Sequence, residues 1–254
     1  MSYQRKHNTG YILRICGIAA LGGILFGYDT AVISGAIEAL KTYFNLSPAE
    51  TGWAVSNVVI GCVVGAFAAG PLAARWGRKK ALMLAALLFT VSAVGAALAP
   101  TFTWFVIYRI IGGLAVGIAA TVSPMYMSEV SPKDMRGRAL SMQQFAIVFG
   151  QIVIFYVNFK IASLASEAWL VEMGWRWMFA SGVIPRILFC ILVFVIPESP
   201  RWNVMMGRDD QALAMLTKVS NAAHAQNLLK EIKDSLQQDQ QQRHRKLNYG
   251  DVRV

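Results

Sequence analysis

Charge is scarce in this chain. Asp, Glu, Lys and Arg make up only 15% of its 254 residues, against about 25% in an ordinary soluble domain. Cysteine is scarcer still, at three. Cys16, Cys62 and Cys190 all fall in apolar stretches, where a small apolar residue is the plain reading. With none in the polar connections, no disulfide framework is implied. The sequence also lacks a metal-ligand cluster, a nucleophile paired with a base, a phosphate loop and a redox motif. An enzyme reading has nothing to stand on, and no metal or cofactor is expected.

What is there instead is apolar length. Hydrophobic residues reach 56%, and six long runs can be marked at 12–35, 53–74, 81–99, 102–124, 139–159 and 177–197. A helix crossing the roughly 30 Å hydrocarbon core of a bilayer needs about 20 such residues. The fold class is therefore an all-α membrane protein with six spanning helices, and the bilayer is its first partner. The opening run is too long for a signal-peptide core and is expected to stay as an anchor.

A net charge of +10 raises nucleic acid as a partner, but the distribution excludes it. Arg5, Lys6 and Arg14 precede the first run; Arg75, Arg78, Lys79 and Lys80 follow the second; Lys133, Arg136 and Arg138 follow the fourth. The alternate connections hold only Lys41, Lys160 and Arg176. Positive loops stay in the cytoplasm, so both termini are expected inside a multi-pass protein of the cell membrane.

Local signals punctuate the runs. Ser47-Pro48-Ala49-Glu50 has the form of a capping box with Pro at the first helical position, and predicts the start of the second helix. Pro197 and Pro200 end the sixth. Beyond them, Arg208–Ser220 and Ala222–Leu236 show apolar residues at helical spacing and predict short amphipathic cytoplasmic helices. The polar tract Gln237–Gln242 reads as a linker. The organisation is thus 1–200 as the membrane bundle and 201–254 as a cytoplasmic segment. Gly61-x-x-x-Gly65 and Gly113-x-x-x-Gly117 have the pattern for close helix packing in membranes.

Ionisable residues deep in a span cost a few kcal/mol on insertion scales and are functional candidates by default. Asp29, Arg109 and Arg186 qualify. Counted from the outer ends of their runs, Asp29 and Arg109 both sit about 10 Å deep, so they can pair. Either Asp29 takes up a proton and releases Arg109, or the two form a fixed ion pair. Gln144, Gln151 and Asn158 recur every seven residues and share a helix face within about 20° per step. Their amides suit sugar hydroxyls, or serve as glue between helices. Phe26 and Tyr28 stand near the same depth and can stack on a sugar ring or simply pack. Arg75, Arg78, Glu129, Arg136, Glu198 and Arg201 cluster at the cytoplasmic ends, as interfacial anchors or as a salt-bridge gate.

Several motifs together resemble the sugar porters of the major facilitator superfamily. They are Gly77-Arg78-Lys79, Tyr108 to Gly113, Glu129-Val130-Ser131-Pro132 with Arg136-Gly137-Arg138, and Pro197-Glu198-Ser199-Pro200-Arg201. Gly22 to Gly35 and Gln144 to Gln151 look like the xylose-type proton symporters of that family. The resemblance covers essentially the whole chain. It implies a twelve-helix carrier in a bacterial inner membrane, of which this is the N-terminal half, built from two three-helix inverted repeats. It implies proton-coupled transport of D-xylose or a related monosaccharide, with the proton as the coupling ion. Asp29 and Arg109 would couple the proton, Phe26, Gln144 and Gln151 would contribute to the sugar site, and the six cytoplasmic charges would form the inner gate. A uniporter or polyol carrier is the alternative within transport; a truncated, non-transporting membrane module is the alternative outside it. Two departures stand out: Gly182 replaces an acid, and Arg186 replaces a small neutral residue. A C-terminal six-helix half is the partner this reading requires, and the 254-residue chain alone is expected not to transport.

Overall fold

The chain builds only helices among its described residues, because its apolar runs leave backbone groups no water to bond in a bilayer and only intrahelical bonds satisfy them. The computed structural model describes residues 7–250. The anchors Arg5 and Lys6 lie outside them, as do the last four residues. Among the described residues, six helices are long and apolar enough to cross a membrane. They are α1 (Thr9–Phe44), α2 (Pro48–Trp76), α3 (Arg78–Ala97), α4 (Phe102–Val130), α5 (Arg136–Leu164) and a sixth stretch, Glu167–Val195. The sixth combines α6 (Glu167–Trp169), a π-helical turn (Leu170–Gly174), α7 (Trp175–Ser181) and α8 (Val183–Val195).

The predicted six spans are therefore present, though the helices overrun them. Helix α1 has 36 residues, more than the roughly 20 a bilayer core needs. The capping box forms at the start of α2: the Glu50 amide donates to Ser47 Oγ at 3.3 Å and the Ser47 amide to Glu50 Oε2 at 2.8 Å. Helix α8 stops at Val195, just before Pro197.

The two glycine motifs pack against each other. A Cβ at Gly61 or Gly65 would run into the carbonyls of Ile110 and Leu114 on α4. One at Gly113 or Gly117 would meet those of Val58 and Cys62 on α2. Bare backbone is what lets these helices touch. Helices α1, α4 and α7 also share an aromatic core in which Phe105 meets Trp175 and Phe179 edge-on.

The chain divides into two compact units, Ile15–Ile196 and Met1–Arg14 with Pro197–Val254. In the second, α9 (Pro200–Met205), α10 (Asp209–Val219) and α11 (Ala222–Gly250) pack through Trp202, Ala212, Met215 and Leu216. The Asn8 amide donates to the Val219 carbonyl at 2.8 Å. Here the linker expectation is corrected, since α11 runs through Gln237–Gln242 without a break. Gln, Lys, Arg and Glu are good helix formers, and neither Gly nor Pro interrupts them before Gly250. Asp239, within that tract, also accepts from Arg201 at 2.7 Å.

Candidate functional site

Asp29, on α1, is 1% exposed and meets two arginines. Arg109, on α4, donates from Nη1 to Oδ2 of Asp29 at 2.9 Å and to the Asp29 backbone carbonyl at 3.2 Å. Arg186, on α8, donates from Nη2 to the other carboxylate oxygen, Oδ1, at 2.7 Å. Each arginine is also 1% exposed. Asp29 and Arg109 meet at one level of the bundle, although α1 continues to Phe44 rather than ending near Ala36.

The surroundings are aromatic and small. The Arg109 guanidinium lies 5.6 Å from the Phe179 ring centre, and Arg186 lies 5.9 Å from those of Tyr28 and Phe89. Tyr28 and Ser181 hydroxyls share a 2.6 Å hydrogen bond. Ser92 donates to the Tyr108 carbonyl at 2.7 Å, one turn before Gly112, which lies against Asp29. The result is a sealed cluster with two cations to one anion. Desolvating such charges is expensive unless each is paired, and Nε of both arginines and Nη2 of Arg109 have no hydrogen-bond partner.

Arg186 is the residue whose place the sequence did not reveal. As an intramembrane arginine it was a candidate, but nothing in the pattern assigned it to Asp29. The signal was available in Gly182, one helical turn earlier on the same face. A Cβ there would run into Nη1 of Arg186.

The amide stripe divides. Asn158 is buried and donates from Nδ2 to the Val32 carbonyl on α1 at 3.2 Å, which is the glue role. Gln151 is half-buried, while Gln144 is exposed. Gln143, next to it, is the buried amide and packs against Gly23 of α1. Phe26 is half-buried, whereas Tyr28 is buried in the core. An open groove of about 620 Å³ between α5 and the sixth stretch is lined by Val157, Ile161, Leu164 and Trp169 among others. It holds none of the predicted sugar residues.

Of the predicted gate charges in the larger unit, Arg78 and Glu129 come together at 2.7 Å with little exposure. Arg78 also donates to the Ala73 carbonyl at 3.1 Å. Arg136 donates from Nε to the Ser128 carbonyl at 3.0 Å, and Arg75 is exposed. In the other unit, Glu198 accepts from the Ser199 amide at 2.9 Å and Arg201 pairs with Asp239.

The six-helix bundle thus combines a sealed carboxylate–arginine cluster with a glycine-packed helix pair. The sugar (and other) transporter family matches residues 15–252, and the chain belongs to it. It is 42% identical to the D-xylose-proton symporter of Escherichia coli (strain K12), over 96% of this chain and 55% of that protein. It is 41% identical to the arabinose-proton symporter of Bacillus subtilis (strain 168), over 93% and 51%. It is 45% identical to a glucose transport protein of Synechocystis, over 85% and 47%. The solved proton:xylose symporter XylE of the major facilitator superfamily, bound to 6-bromo-6-deoxy-D-glucose, superposes with a TM-score of 0.91 at 42% identity. That match covers 96% of this chain and 57% of the solved one. The chain spans about half the length of the curated relatives it matches.

Proposed function

We propose that this chain is one six-helix half of a carrier that moves a monosaccharide across a bacterial inner membrane together with a proton. D-xylose or a related sugar is the substrate. The observation that carries this reading is Asp29, a single carboxylate sealed inside the bundle and held by arginines from two other helices, in a chain whose relatives are named as sugar-proton symporters. A proton arriving at Asp29 weakens those ion pairs and frees helices α1, α4 and α8 to shift. Alternating access then needs a second half to rock against this one.

Gln151 and Phe26, half-buried, and Gln144, exposed, are this half's contribution to the sugar site. Arg78–Glu129, with Arg75 and Arg136, closes the cytoplasmic side, and Glu198 and Arg201 are the gate charges carried by the smaller unit. The loop charges favour both termini in the cytoplasm. No cofactor is required beyond the proton. A second reading, uniport, is favoured by the extra cation Arg186, since a carboxylate with two partners gives up its place less readily.

The test is sugar-induced proton uptake in cells expressing the full-length protein. Alkalinisation on adding xylose supports symport; downhill xylose entry with no pH change supports uniport.

A further inference from the structure

We propose that Arg186, seated by Gly182, is a positioning residue that holds the Asp29 carboxylate and sets how readily it accepts the coupling proton. This rests on the proton-coupled reading above. Both carboxylate oxygens are occupied, Oδ2 by Arg109 and Oδ1 by Arg186. A proton must therefore displace a guanidinium from one of them. Neutralising Asp29 would also leave two buried cations without a counter-ion, where one arginine alone would leave a single one.

The groups facing Asp29 can be named element by element. Helix α1 supplies Tyr28, whose hydroxyl is engaged by Ser181 of α7. Helix α3 supplies Phe89 and Ser92, and α4 supplies Arg109. Helix α8 supplies Arg186. Arg78 is the other buried charge among the described residues, and it pairs with Glu129. The second guanidinium is therefore not balanced by another acid in this bundle.

Gly182 is what admits it. Its backbone is ordinary, with φ −70° and ψ −11°, so conformation does not call for glycine there. Space does: a Cβ would collide with Nη1 of Arg186 and approach the Tyr28 ring to 3.0 Å. Glycine at 182 and arginine at 186 form a matched pair that delivers a second cation to Oδ1.

The experiment compares R186M, R186K and G182A in the full-length protein in proteoliposomes. Two quantities are read: the pH profile of proton-driven xylose uptake, and equilibrium exchange of labelled xylose, in which the proton need not leave. R186M and G182A are expected to extend the alkaline limb of uptake by about one pH unit or more, with exchange retained. R186K keeps the charge and holds the parent profile. An R186M that fails even in exchange has lost its fold, and G182A, which retains all three charges but displaces the guanidinium, then decides. Profiles for R186M or G182A that superimpose on the parent, with proton uptake intact, overturn the role of Arg186 and leave symport standing. Xylose entry without proton movement in the parent overturns symport itself.

Discussion

Asp29 is shared: Arg109 holds one carboxylate oxygen at 2.9 Å and Arg186 holds the other at 2.7 Å. A carboxylate placed between two guanidiniums in a sealed bundle is the counter-ion for both. That relationship makes its removal different in kind from removal of either partner.

D29L strands two buried cations, whereas R109M leaves Asp29 paired with Arg186. Leaving a buried charge unpaired costs about 3–5 kcal/mol. D29L is therefore expected to lower the unfolding midpoint of the detergent-solubilised protein well below that of R109M. Equal midpoints, or a less stable R109M, would contradict the shared counter-ion.

The glycine seam makes a steric prediction. G113A places a methyl against the Val58 carbonyl on α2, a backbone atom that cannot rotate away. Overpacking of this sort costs about 1–3 kcal/mol. The control is G52A, where an added Cβ meets nothing within 4 Å. Equilibrium unfolding in mixed micelles should separate the two, and a G113A as stable as G52A would mean α2 and α4 do not touch as described.

Two ion pairs of the same 2.7 Å length are expected to differ in strength. The side chains of Arg78 and Glu129 are 8% and 10% exposed, those of Arg201 and Asp239 32% and 56%. E129Q should cost about 1.5–3 kcal/mol, as for hydrogen bonds to a buried charge. D239N should stay within about 1 kcal/mol and shrink further in salt. Comparable losses for both would show that burial is not what distinguishes them.

Much of this was legible because a bilayer imposes a coarse rule. Six apolar runs became six spanning helices, and the capping box at Ser47 formed as its residues predict. The two glycine motifs also met, although the pattern alone did not say that they would choose each other. What escaped depended on which way a helix faces. Seven-residue spacing placed Gln144, Gln151 and Asn158 on one face, but one residue is about 100° of rotation. The neighbouring Gln143 is buried where Gln144 is exposed. Arg186 reaches Asp29 across 157 positions of chain, and no local period encodes that. The end of α11 escaped for the opposite reason, since a polar tract can be a linker or a solvated helix and composition does not choose.

The central claim, that Asp29 carries the proton, is tested most directly by sugar-induced proton uptake in cells expressing the full-length protein, parent against D29N. The account predicts alkalinisation of the medium when xylose is added to the parent. D29N should abolish it while xylose binding and exchange persist. Undiminished proton uptake by D29N, or xylose entry without any pH change in the parent, would contradict it and leave Asp29 as a structural counter-ion of Arg109 and Arg186.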